Sequence, residues 1–171
     1  MNKEEKELHN ALRAVVRRAW SRYKYKFKAK ASATTKKKVG TFKNGKPKYL
    51  NYCTCAICNL EFKAGDVEVD HIRPAGAFNS REGFKEWSAR ILYDVKDNLQ
   101  ILCKETCHPA KTYSETYNVT FEEALRRKVV IAFLSTPAAK QKATLKKLGY
   151  SGAAVSNEEK RELLFRELNN L

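Results

Sequence analysis

The sequence predicts an α+β protein: a small metal-stapled core of paired strands and a helix, between a basic amino-terminal helix/strand arm and carboxy-terminal helices. Three observations carry that prediction. All five cysteines fall in one stretch, at positions 53, 55, 58, 103 and 107. The formal charge of +15, from 34 Lys and Arg against 19 Asp and Glu, is concentrated in residues 1 to 52, which hold 16 basic and 3 acidic residues. Helix-start signals punctuate the last third.

Composition also bounds function. No apolar run is long enough to cross a bilayer, and MNKEEKELHN lacks the apolar stretch of a secretory signal, so a soluble cytoplasmic protein with no membrane partner is expected. The excess of cations points to a polyanionic partner, and in such a chain clustered cysteines favour metal over disulfides.

Residues 3 to 22 predict an amphipathic helix, with Leu8, Leu12, Val15, Val16 and Ala19 at helical spacing and Arg13, Arg17, Arg18 and Arg22 around them. Tyr23-Lys24-Tyr25-Lys26-Phe27-Lys28 alternates aromatic and cation, the pattern of a strand with one basic face. Arg17, Arg18, Arg22, Lys24, Lys26 and Lys28 are therefore candidate contacts to nucleic-acid phosphates. Residues 29 to 48 have few apolar side chains and predict a basic linker or long loop. The expected organisation is a basic arm over 1–48, a core over 49–117 and a helical region over 118–171. Within the core, Val67 to His71 alternates as a strand that stops on Asp70-His71 before a turn at Arg73-Pro74-Ala75-Gly76. Ser80 to Tyr93 reads as an inserted helix with Phe84, Trp87, Ile91 and Leu92 on one side, and residues 98 to 103 as a returning strand. In the last third, Thr120 with Glu123 and Ser156 with Glu159 have capping-box spacing, Thr136-Pro137 starts a helix and Gly149 ends it. Helices are expected near 121–134, 137–148 and 157–170.

Cys55-Ala-Ile-Cys58 has the spacing at which a tight turn brings two thiolates onto one tetrahedral ion. Cys103 and Cys107 form a second pair after a strand, so these four thiolates predict a structural zinc site. Cys53 is a spare that competes for a ligand position, as does His108; assigning Cys107 as the fourth ligand leaves His108 available for other chemistry. Asp70 and His71, adjacent on a strand, point to opposite sides, so one can hold a metal while the other faces a different atom of one reaction centre. His9, alone on a charged helix, is given no role.

As an ordered set, Cys55-x-x-Cys58, Val69-Asp70-His71-Ile72-x-Pro74, Asp97-Asn98-Leu99-Gln100-x-Leu102-Cys103 and Cys107-His108-x-x-Lys111-Thr112 resemble the HNH endonuclease family in its zinc-containing ββα-metal, treble-clef-like form. The resemblance implies a hydrolase that cuts phosphodiester bonds of double-stranded DNA, as a monomer or a dimer. It also implies that Asp70 and His108 hold a catalytic divalent ion, Mg2+ or Mn2+, that His71 is the general base toward water, and that Asn98 ties the loop that aims His71. Lys111 and Arg73 are candidate phosphate contacts beside the cut. These residue types suit the roles: a carboxylate is a hard donor for magnesium, and an imidazole exchanges protons readily near neutrality. A weaker similarity of the run after Tyr113 raises a phage or homing-element origin. A non-catalytic zinc-knuckle module that binds nucleic acid, RNA included, is the alternative; a basic structural protein leaves both the Asp-His and Cys-His pairs idle.

Overall fold

A computed structural model describes residues 2–93, 95 and 97–169. The chain is mixed α+β with two small sheets, and it divides between His108 and Pro109 into two compact units. Among the described residues no helix is long and apolar enough to cross a membrane.

Helix α1 (Lys3–Ser21) starts from a capping box in which Asn2 and Glu5 satisfy each other's backbone N–H, with Glu4 and Glu5 in the first turn where the helix dipole favours acids. Its apolar stripe is only half used. Leu12, Val16 and Trp20 pack against Phe78, Trp87 and Ile91, whereas Leu8 and Val15 stay exposed. Burying each such large side chain contributes about 1.5–3 kcal/mol, which is what holds α1 to the unit.

The expected strand over residues 23 to 28 is instead the start of a second helix, α2 (Lys24–Ser32). Lysine and alanine are strong helix formers, and Ala29 and Ala31 continue the segment past the alternation. A period of two distributes aromatics all round a helix, so no buried residue results. The helix is anchored at its ends: Tyr23 donates its hydroxyl to the Leu92 carbonyl, Lys30 donates to the Val67 carbonyl at 3.3 Å, and Ala29 packs on the sheet core.

Residues expected as a linker form a hairpin. Strand β1 (Thr34–Thr41) pairs antiparallel with β2 (Pro47–Thr54), from Thr34 opposite Cys53 to Thr41 opposite Pro47, with an irregularity between Lys38 and Gly40. The turn closes through Phe42 and Lys46, with Gly45 at φ 82°, where a side chain would be strained. The expected boundary at residue 48 thus lies inside β2. Strand β3 (Glu61–Lys63) adds to the inner end of β2, and a single 3-10 turn, Ala64–Asp66, leads to β4 (Val67–His71).

After β4, Ser80 caps α3 (Arg81–Leu92) by accepting from the Gly83 N–H at 3.0 Å. Strand β5 (Leu99–Cys103) returns antiparallel to β4, with His71 opposite Leu99 and Val67 opposite Cys103. Helix α4 (Cys107–Tyr117) follows. Val67, Val69 and Ile101 form the sheet core together with Cys53.

In the second unit, α5 (Phe121–Leu134) is capped by Thr120, and α6 (Ala138–Lys147) ends before Gly149 at φ 91°. Two differences follow. A short helix, α7 (Ala153–Ser156), occupies Ser156, and α8 (Glu158–Leu168) is capped by Asn157 rather than by Ser156. Phe133 stacks on Phe165 at 3.9 Å between centroids, with Leu145 and Val155 in the same core. The buried Arg161 is satisfied by Gln141 Oε1 and the carbonyls of Val155 and Ser156.

Candidate functional site

The four cysteines singled out by spacing converge. The Sγ atoms of Cys55, Cys58, Cys103 and Cys107 all lie within 4.8 Å of one another. Four sulfurs around one tetrahedral ion at a metal–sulfur distance of about 2.3 Å stand about 3.8 Å apart, so a contraction of at most about 1 Å brings this cluster onto a metal. The residues form a site that can hold a metal ion such as zinc.

Backbone geometry builds both halves. Cys55 sits just beyond β2, where its N–H donates to the Leu60 carbonyl at 2.9 Å and its carbonyl accepts from Asn59 at 3.0 Å. Asn59 adopts φ 57°, the left-handed conformation that lets the knuckle turn back, and Ala56 ties the knuckle to β5 through the Ile101 carbonyl at 2.8 Å. The other half joins the last residue of β5 to the first of α4, with the Cys107 N–H donating to Cys103 Sγ at 3.2 Å.

Protonation of the cluster points the same way. Burial raises the Cys55 thiol, but backbone N–H groups of Cys58, Cys103 and Ile57 overcome that and bring it down from 9.0 to about 7. Burial pushes the Cys58 and Cys107 thiols up, and for Cys107 the neighbouring sulfurs of Cys103, Cys55 and Cys58 push further. One thiolate forms readily and the next are resisted by it; a bound cation reverses that resistance. Cys53 is not part of this. It is 1% exposed in the sheet core, with its sulfur 3.3 Å from Thr34 Oγ1.

The strand-end residues occupy the other end of the β4–β5 pair. Along β4, Val67, Val69 and His71 are buried while Glu68 and Asp70 are half-buried, so Asp70 and His71 do point to opposite sides. His71 is 8% exposed. Its Nε2 lies 3.1 Å from the Ile91 carbonyl, and its ring lies 4.4 Å from that of Trp20. A carbonyl only accepts, so Nε2 is the donor in this bond. Asn98, 3% exposed, holds the chain just past His71: its Oδ1 accepts from the Arg73 N–H at 2.8 Å and its carbonyl from the Ile72 N–H at 2.9 Å. Asp97 at φ 58° turns the chain into this position. His108 is half-buried in the first turn of α4, beside Cys107.

The candidate cations differ in their surroundings. Arg17, Arg18, Arg22, Lys24, Lys28 and Arg73 are exposed. Lys26 is held 3.7 Å from Glu68 and lies over the Trp20 ring at 5.7 Å, and Lys111 is paired with Glu115 one turn along α4. Lys104 also reaches Glu68, at 3.6 Å, so Glu68 on the half-buried face of β4 has two cations beside it.

Trp20 and the Ile91 carbonyl escaped the sequence reading. Trp20 continues the stripe of Leu12 and Val16, a signal for packing, but nothing in that spacing says that its ring lands on His71. No family model, curated protein or solved structure matches the chain.

Proposed function

We propose that the protein is a metal-dependent DNA endonuclease of the HNH type, with a zinc-stapled ββα-metal core. The observation that carries the proposal is the joint at the end of β4, where Asp70 and His71 lie on opposite faces and Asn98 Oδ1 holds the Arg73 N–H at 2.8 Å. The order β4, β5, α4, with Cys103 and Cys107 leading directly to His108, supports it. A basic module that merely binds nucleic acid has no use for a carboxylate, an imidazole and a clamped loop in that arrangement.

In this mechanism zinc on the four thiolates is structural, since four protein sulfurs leave no open position. Asp70 and His108 would hold a magnesium or manganese ion. An ion held there would supply charge neutralisation at the phosphoryl group and help for the departing oxygen. His71 takes a proton from water, and the bond from Nε2 to the Ile91 carbonyl holds the ring in one direction. Asn98 keeps the strand end rigid, and Trp20 excludes bulk water from one face of the imidazole. The exposed cations of α1 and α2 neutralise duplex phosphates, making binding fall steeply with salt. A homing or phage setting fits such a chain, as does either single- or double-strand cutting.

One observation favours the non-catalytic alternative: a histidine 8% exposed, hydrogen-bonded to a carbonyl and packed on a tryptophan, also describes a structural side chain. Incubating supercoiled plasmid with zinc-loaded protein and magnesium or manganese separates the two. The nuclease converts plasmid to nicked or linear product and the His71→Ala variant does not. Intact plasmid from the wild type in both metals, with zinc content verified, refutes the proposal.

A further inference from the structure

Between Glu7 and Glu61 the chain has no Asp or Glu, and the most exposed part of that stretch is the β1–β2 hairpin. Among the described residues strand β3 pairs with Tyr52, Cys53 and Thr54. Beyond them the hairpin continues as a two-stranded ribbon for five residues of β2, about 17 Å at 3.3–3.4 Å per residue, before the turn.

That ribbon carries Lys36, Lys37, Lys38, Lys43, Lys46 and Lys48. Directly opposed residues share a face, so Lys36, Lys38, Tyr49 and Asn51 lie on one side and Lys37 and Leu50 on the other. Lys37 is paired with Glu61. Among the described residues no carboxylate pairs with Lys38, Lys43, Lys46 or Lys48. Lys36 lies over the Tyr49 ring at 5.5 Å and Lys48 over Phe42 at 5.9 Å, while Val39, Phe42 and Tyr49 remain 42%, 52% and 47% exposed.

An isolated two-stranded ribbon is marginal in water, and like charges concentrated on it weaken it further. A polyanion removes that repulsion and covers the exposed rings. The major groove of duplex DNA, about 12 Å wide, admits a two-stranded ribbon between two walls of phosphates.

We infer that the β1–β2 hairpin docks in a groove of duplex DNA. Lys38, Lys43 and Lys46 meet backbone phosphates, and Phe42 and Tyr49 contact the groove between them. The inference rests on DNA as the partner in the function proposed above, but not on cleavage.

The test measures binding of a fluorescent duplex by zinc-loaded protein over a salt series, without added magnesium or manganese. Each phosphate contact contributes about 0.9 to the slope of log affinity against log salt, so the combined substitution Lys38→Ala, Lys43→Ala and Lys46→Ala lowers the slope by about 2 to 3. Circular dichroism and zinc content verify that the variant is folded. In parallel, the three lysines of the wild type become protected from acylation when duplex is added, read by mass spectrometry. An unchanged slope overturns the inference, and so do lysines that stay unprotected. So does wild-type binding to single-stranded RNA or poly-glutamate that is tighter than to duplex at the same salt. Plasmid cleavage reports on the nuclease proposal separately, since a protein that cuts plasmid with an unchanged slope loses only the hairpin's role.

Discussion

Replacing Asn98 with alanine strikes the joint on which the strand-end cluster depends. The side chain is 3% exposed and its Oδ1 accepts the Arg73 N–H at 2.8 Å, while the bond from Ile72 N–H to the Asn98 carbonyl is a main-chain bond and survives the substitution. A part-buried N–H left without its acceptor costs about 1–3 kcal/mol, and the vacated volume adds to it, so a total near 2 kcal/mol is expected. For a unit of about 100 residues each kcal/mol moves Tm by roughly 4–8 °C, which puts the shift near 8–16 °C. Gln100→Ala is the comparison. Gln100 Nε2 reaches the His71 carbonyl at 3.3 Å from a half-buried strand position, and its loss should cost under about 1 kcal/mol. Thermal unfolding of zinc-loaded protein, followed by circular dichroism, measures both. If Asn98→Ala melts no lower than Gln100→Ala, Asn98 is not the clamp described here.

Two further predictions concern the sulfur cluster. Cys53→Ser keeps one bound metal per chain, because Cys53 belongs to the sheet core, whereas Cys107→Ser loses it; metal analysis after gel filtration reads both, and equal loss from the two variants contradicts the assignment. Burial holds the protons of Cys58 and Cys107 above the ordinary thiol range, so capture of metal near neutrality releases both, and affinity falls by at least about 100-fold for each unit of acidification, more steeply below about 7 where Cys55 is protonated too. Without metal the sign reverses for these two thiols: their protonated forms favour the fold below 9.0, and stability is lost as pH rises beyond it. Chelator competition across about pH 6 to 8 tests the first statement, and an affinity independent of pH refutes it.

Much of the core was legible because its signals were local. The Cys55-x-x-Cys58 spacing needs only one turn to be meaningful, and the alternation in Val67–His71 marks a strand with one buried face. Helix α3 announced itself through Trp87 and Ile91 at helical spacing. The arm was misread where polarity hid the pattern. In β1 and β2 most side chains are exposed on both faces, so no apolar alternation exists to find, and only Asn44-Gly45 signalled a hairpin turn. The alternation over residues 23 to 28 was overruled by the helix-forming lysines and alanines of α2, whose ends are fixed by contacts to Leu92 and Val67 far along the chain. Ser156 and Asn157 both suit a helix start, and the capping-box spacing chose the wrong one because α7 consumes Ser156. The stacking of Trp20 on His71 joins residues from α1 and β4 and has no signature in either segment.

The central claim is that Asp70, His71 and His108 act as one metal-dependent centre for cutting DNA. Single-turnover cleavage of plasmid in manganese, with enzyme in excess, tests it for the wild type beside Asp70→Ala, His71→Ala and His108→Ala, each carrying its zinc and binding duplex DNA as the wild type does. Loss of a general base slows such chemistry by about 10²–10⁴-fold, and losing either expected metal ligand should do no less. The account predicts that all three variants fall at least about 100-fold while zinc content and DNA affinity hold; cleavage by any of them at the wild-type rate contradicts it.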